Sequence, residues 1–229
     1  MKQLLFVFSV ALLIYSCTGK KKNMIVQGEV KNLKKGTLYL EKVKDTTLIS
    51  VDSVVVKGDG NFRMADAIDT PEMYYLSLDH SNENRIPFFG EQGTITIRTS
   101  LDKFGYGAKV EGLTNQRLLD EYNEMKSKFS DKNLNLVKAG FEAQRAGDSI
   151  LADSINSAIL NLMKSRYRYT ANFAVTHPDN EVSPYLALSE MFDANITWLD
   201  SINNSLSPKV KASKYGQELQ KYLDKLQGK

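Results

Sequence analysis

The hydrophobic period of this chain changes once, near Thr114, and that single change limits the folds open to it. Before it, apolar residues recur at every second position; after it, at every third or fourth. In TLYLEKV, Leu38 and Leu40 share one face while Thr37, Tyr39 and Glu41 share the other. TITIRT alternates in the same way around Ile95 and Ile97. Between Met24 and Glu111, short segments of this kind alternate with turn signals such as KNLKKG, KDTT and KGDGN. They read as seven or eight strands. The apolar phase of LISVDSVVV slips near Asp52 and Ser53, as at a β-bulge. Pro87 places RIPFF at a sheet edge or a strand end, because proline has no N–H for a ladder. No helical pattern lies between the strands to carry a parallel crossover. The expected fold is therefore a sandwich or open barrel of antiparallel type.

Beyond Thr114 the spacing is helical. Leu118, Tyr122, Met125 and Phe129 form one stripe, and Thr114 reads as its N-cap. A second stripe follows Gly147 and Asp148, through Leu151, Ile155, Ala158, Leu162, Tyr169 and Phe173, with Arg166 its one charged member. Ser183–Pro184 and Ser207–Pro208 each read as a cap followed by proline at the first helical position. The fold class is α+β: a β-domain over 24–112, then an all-α region over 113–229.

The first segment, MKQLLFVFSVALLIYSC, gives an address rather than a fold. Lys2 supplies a positive start, and the apolar run from Leu4 to Ile14 is shorter than the ~20 residues a spanning helix needs. Cys17, the only cysteine, ends the run, preceded by Ile14, Tyr15 and Ser16. This resembles a bacterial lipobox, with Tyr15 bulkier than usual. The expectation is a signal peptide over 1–16 and a lipid-modified Cys17, with 17–23 as a tether containing Lys20, Lys21 and Lys22. Several acyl chains exceed the two signals that stable anchoring requires. The partner implied is a membrane, in the cell envelope, at the outer membrane facing the periplasm.

The net charge of +3 gives no case for nucleic acid, which needs a concentrated basic face. One cysteine and two histidines exclude most thiol and zinc chemistry. His80 lies in a polar loop. His177 lies at a helix end, where a ring nitrogen suits free carbonyls. Neither accompanies a nucleophile motif, so both read as structural. Asp52, Asp59, Glu83 and Glu91 are turn or strand-end acids, and the turns at 58–61 and 79–84 read as hairpin turns rather than calcium loops. Tyr74, Tyr75, Phe88, Phe89, Phe104 and Tyr106 read first as core and second as a ligand surface. No catalytic residue, cofactor site or metal-ligand set emerges.

DSVVVKGDGNFRM, FFGEQGTITI and VEGLTNQRLLDEY occur in an order that resembles the bacterial lipoprotein domain of unknown function 4369. HPDNEVSPYLAL and LSPKVKASKYGQELQKYL resemble the helices that follow it. In that family the domain forms the N-terminal part of periplasmic thioredoxin-like thiol–disulfide oxidoreductases. The chain ends at Lys229, about where a thioredoxin domain would begin, and contains no C-x-x-C. The resemblance therefore implies location, architecture and a binding or scaffolding role, with a thioredoxin-like envelope protein as a candidate partner, and it assigns no functional residue. The expected function is a lipid-anchored, non-catalytic module for a protein or peptide partner. The alternatives are a small-ligand or glycan-binding lipoprotein and a hydrolase whose site the sequence does not display.

Overall fold

The computed structural model describes residues 21–81 and 85–228. Eight strands precede six α-helices in it: β1 Met24–Lys31, β2 Lys35–Lys44, β3 Thr47–Lys57, β4 Asn61–Asp66, β5 Glu72–Leu78, β6 Arg85–Gly90, β7 Gly93–Ser100 and β8 Lys109–Glu111. Then come α1 Thr114–Arg145, α2 Ser149–Thr176, α3 Val182–Glu190, α4 Ile196–Ser205, α5 Pro208–Lys211 and α6 Lys214–Leu226. The class is α+β, with the change of type where the hydrophobic period changes.

The strands form two four-stranded sheets, ordered β4-β1-β7-β8 and β3-β2-β5-β6. Their inner faces share one apolar core, in which Leu38, Leu40, Ile95 and Ile97 are fully buried. The period-of-two positions thus face inward, each such side chain contributing about 1.5–3 kcal/mol. The bulge lies where the phase slips: Leu40 pairs with Asp52 but Glu41 pairs with Ser50, leaving Val51 extra. β6, which carries Pro87, is an edge strand.

One pairing corrects the antiparallel expectation. β1 runs parallel to β7, from Met24↔Gly93 to Lys31↔Ser100. A parallel pair needs a long crossover, usually a helix. Here the crossover is built from strands: the chain leaves β1, lays down β2 and β3 in the opposite sheet, returns through β4, and visits that sheet again with β5 and β6. The same routing corrects the reading of the 58–61 turn. It is no hairpin; it carries the chain from β3 in one sheet to β4 in the other. β1 also explains its glycine. At Gly28 φ is +157° and a Cβ would lie 1.7 Å from the Ile97 carbonyl oxygen, so only glycine permits the β1–β7 approach.

The helices pack on one end of the outer face of the β5–β6 sheet. Met73 and Phe89 from the strands meet Leu118 and Tyr122 of α1, Phe173 of α2, Leu186 of α3 and Tyr215 of α6. A separate helical core joins α2 to α3–α6 around Ala174, Leu199, Ile202 and Leu219. The junction also completes the sheet's hydrogen bonding. β2 pairs with β5 only as far as Tyr74, so the Met73 N–H lies past the end of its neighbour and donates instead to the Tyr215 hydroxyl at 2.9 Å. The Phe89 N–H donates to Gln116 Oε1 at 2.7 Å.

Two helix starts differ from expectation. The cap position of α1 is Leu113, which offers no side-chain bond; the Asn115 N–H is accepted by Glu91, from the β6–β7 turn, at 2.9 Å. α3 begins one residue before Ser183, after Glu181, and its Val182 N–H is accepted by Asn115 Oδ1 at 2.9 Å. Ser183 Oγ donates to the His177 carbonyl. Orphan helix donors are satisfied in both cases, but from another element. Asp148 and Ser207 do cap α2 and α5 as their sequence context indicates.

Candidate functional site

The residues singled out in the sequence have definite places, except those in 1–20, Cys17 and Lys20 among them, and Glu83, which lie outside the described residues. Tyr74, Phe88, Phe89 and Phe104 are core. Tyr75 is half-buried, and Tyr106 stands exposed. His177 Nδ1 donates to the Phe173 carbonyl, 2.7 Å away, at the end of α2. His80 stacks on Tyr39 with ring centroids 3.6 Å apart, and its Nδ1 lies 2.9 Å from Glu41 Oε1. Glu41 is nearly fully buried on the outer sheet face, with Arg85 Nε 3.7 Å from its other oxygen. Asp52 is partly buried. Burial alone would raise its carboxyl, but the Ala65 N–H and the Lys22 ammonium outweigh it and hold it below the usual carboxylate range. Asp59 accepts from the Asn61 backbone within its own turn. These acids are dispersed. Among the described residues, no group of three or more His, Cys, Asp or Glu side chains could hold a metal ion.

Two polar clusters escaped sequence reasoning, and both lie at the junction. In the first, Lys42 Nζ is 2.9 Å from Asp66, 3.4 Å from Glu72 and 3.0 Å from the Tyr74 hydroxyl. Burial would lower the Lys42 ammonium, but its two carboxylate partners hold it above its usual value. Lys214 of α6 bonds the same Glu72 and the Val43 carbonyl. In the second, Asn115 Nδ2 bridges Glu91 and Glu181, and burial pushes the Glu91 carboxyl upward. Lys209 Nζ lies 3.6 Å from Glu181. Both clusters tie β-strands or their turns to helices, which is structural work.

The open surfaces are elsewhere. α1 has 32 residues, so it extends about 48 Å. With α2 it forms an antiparallel hairpin that touches the body only near its base, through Tyr122, Phe173 and the Lys126–Glu190 ion pair of 2.6 Å. Between Glu124 and Ser165 only Ala143, Ile155 and Leu162 are buried. Two helices alone cannot cover both flanks of their shared seam, and Leu134, Phe141, Ile150 and Leu160 are more than half exposed. A groove of 450 Å³ runs along one flank. Met125, Phe129, Leu136, Ala158 and Leu162 form its floor, and Lys128 and Lys132 stand on the α1 side. A groove of 250 Å³ on the other flank holds Ile159, Met163 and Arg166. A third groove, of 570 Å³, follows the junction between Pro87 of β6, Asp120 of α1 and Tyr185 and Glu190 of α3. Burial raises the Asp120 carboxyl against the opposing bond from Gln116 Nε2, and Glu124 adds to the rise.

Three of the four sheet edges, all but β3, offer less. At β6, Pro87 has no N–H and the Phe89 N–H is taken by Gln116. At β4, the Ala65 N–H is taken by Asp52 at 2.8 Å. β8 has only three residues. A partner strand would therefore find few free donors at these places.

Together these features define a two-sheet sandwich closed by helices, with a protruding two-helix hairpin. Residues 24–119 match the family model described as Domain of unknown function (DUF4369). The match covers the sandwich and the first turns of α1, including Gln116, which closes the β6 edge. No curated protein and no solved structure matches the chain.

Proposed function

We propose that this protein is a lipid-anchored binding module of the bacterial cell envelope, held in a membrane through Cys17, that presents its α1–α2 hairpin to a protein partner and has no catalysis of its own. One observation carries the reading: the hairpin keeps apolar grooves open on both flanks while the β6 and β4 edges are closed by side chains. Monomeric soluble proteins rarely leave contiguous apolar surface without a use. A thioredoxin-like envelope protein is the partner that the family resemblance suggests.

The test has two parts. Cys17→Ala should abolish incorporation of labelled fatty acid and release the chain from the membrane fraction; continued labelling contradicts the anchor. Photo-crosslinking residues placed at Phe141 and Leu160 in the full chain in cells should trap one discrete partner, and the same residue placed at Asp59, on the β3–β4 turn, should not. A hairpin that traps nothing removes the proposal. The Asp120 groove supports a second reading, a small-ligand site at the junction. Asp120→Asn should then weaken the ligand without affecting hairpin crosslinks.

A further inference from the structure

Of the hairpin's two grooves, the one beside Lys128 and Lys132 carries a more specific assignment. Its floor is recessed: Leu162 is buried, and Phe129, Leu136 and Ala158 are half-buried beneath the rim. Lys128 and Lys132, one turn apart, stand along one side, and no carboxylate lines it. From Met125 to Leu136 the floor covers about three helical turns.

The geometry points to an acidic amphipathic α-helix of a partner protein as the occupant, laid as a third helix against α1 and α2. This rests on the binding-module reading above and names the chemistry of its partner. Three other occupants fit less well. A second copy, related by a two-fold axis through the groove, would bring each lysine pair toward its counterpart, and like charges facing each other across an interface are repelled. A bilayer surface requires protruding apolar groups, whereas this floor lies below its lysines. The chain's own apolar N-terminal run is flanked by Lys2 and by Lys20, Lys21 and Lys22, so its charge has the wrong sign. A helix with apolar residues at i, i+3 or i+4, and i+7 fits the floor, and Asp or Glu beside that stripe meets Lys128 and Lys132.

The experiment uses the full lipidated chain in nanodiscs and three labelled peptides followed by fluorescence anisotropy. The first has a leucine stripe flanked by Glu, the second the same stripe flanked by Lys, and the third the first peptide's composition with the stripe scrambled. The Glu-flanked peptide should bind roughly tenfold more tightly than the Lys-flanked one, lose that margin in high salt, and outcompete the scrambled peptide. A Lys128→Glu/Lys132→Glu variant should reverse the preference, which a general loss of folding cannot do. Ala158→Trp, which fills the floor, should weaken both striped peptides. Equal binding of the Glu- and Lys-flanked peptides to the wild-type chain overturns the assignment without any variant. So does a double variant that loses only its affinity for anionic over neutral vesicles, since that result identifies a membrane as the occupant. Peptide results of either kind, combined with persistent crosslinks at Phe141 and Leu160 in cells, would leave the module reading standing with a partner of different chemistry; loss of both would remove it.

Discussion

Tyr215→Phe isolates the bond that most directly joins the helices to the sandwich. The Tyr215 ring packs against Phe89 and Tyr185, at centroid distances of 6.1 and 5.2 Å, and phenylalanine preserves both contacts. What disappears is the hydroxyl that accepts the Met73 N–H at 2.9 Å. Met73 lies beyond the last β2–β5 pair, so no strand carbonyl replaces it. Leaving a buried N–H without an acceptor costs about 1–3 kcal/mol. Removing a deeply buried hydroxyl returns part of its desolvation cost, which places the net loss near the lower half of that range. For a chain of this size the melting temperature should fall by roughly 2–8 °C. Circular dichroism of the full chain on heating gives the shift. Amide exchange gives the cause, because the Met73 amide should lose protection while amides of Ile95 and Ile97 retain theirs relative to the global unfolding limit. A melting point within about 1 °C of wild type, with Met73 still protected, would refute the idea that Tyr215 completes the sheet.

Lys42→Met should leave Asp66 and Glu72 facing each other without their shared cation, at a cost of about 3 kcal/mol or more at neutral pH, read by urea denaturation. Burial opposes ionisation of Asp66, but bonds from Lys42 and Tyr74 hold its carboxyl below the usual range, so its contribution is present above the unfolded value and lost as pH falls through the folded one. The gap between variant and wild type should therefore narrow below roughly pH 4. Asp120→Asn should act with the opposite sign. Burial raises the folded carboxyl, so wild-type stability declines as pH rises from the unfolded value through the raised one; the variant escapes that decline, and its advantage should vanish in acid. Gly28→Ala should abolish the cooperative melting transition, because its Cβ would overlap the Ile97 carbonyl and separate β1 from β7; a transition near the wild-type temperature would show that the pair can spread at little cost.

The sequence by itself determined what depends on neighbours a few residues apart. A strand exposes alternate residues to one face and a helix every third or fourth, so the change at Thr114, the inward Leu38, Leu40, Ile95 and Ile97, and the bulge beside Asp52 were legible. Asp148 and Ser207 cap helices through their own next few amides, which is equally local. The tertiary structure decided what joins distant segments. No alternation pattern specifies which strand lies beside which, so the parallel β1–β7 pair appeared only once the intervening strands had been distributed between two sheets. Thr114 and Ser183 resemble caps, yet Glu91 and Asn115 serve those helix starts from other elements. Glu41 and Glu181 look like surface acids and are nearly fully buried, because their partners arrive from elsewhere in the chain. The α1 stripe is one unbroken pattern, but Leu118 and Tyr122 are spent on the body while Met125 and Phe129 open onto a groove. A stripe encodes that a face will be covered; the packing of the whole molecule decides where the cover ends, and so where a partner can begin.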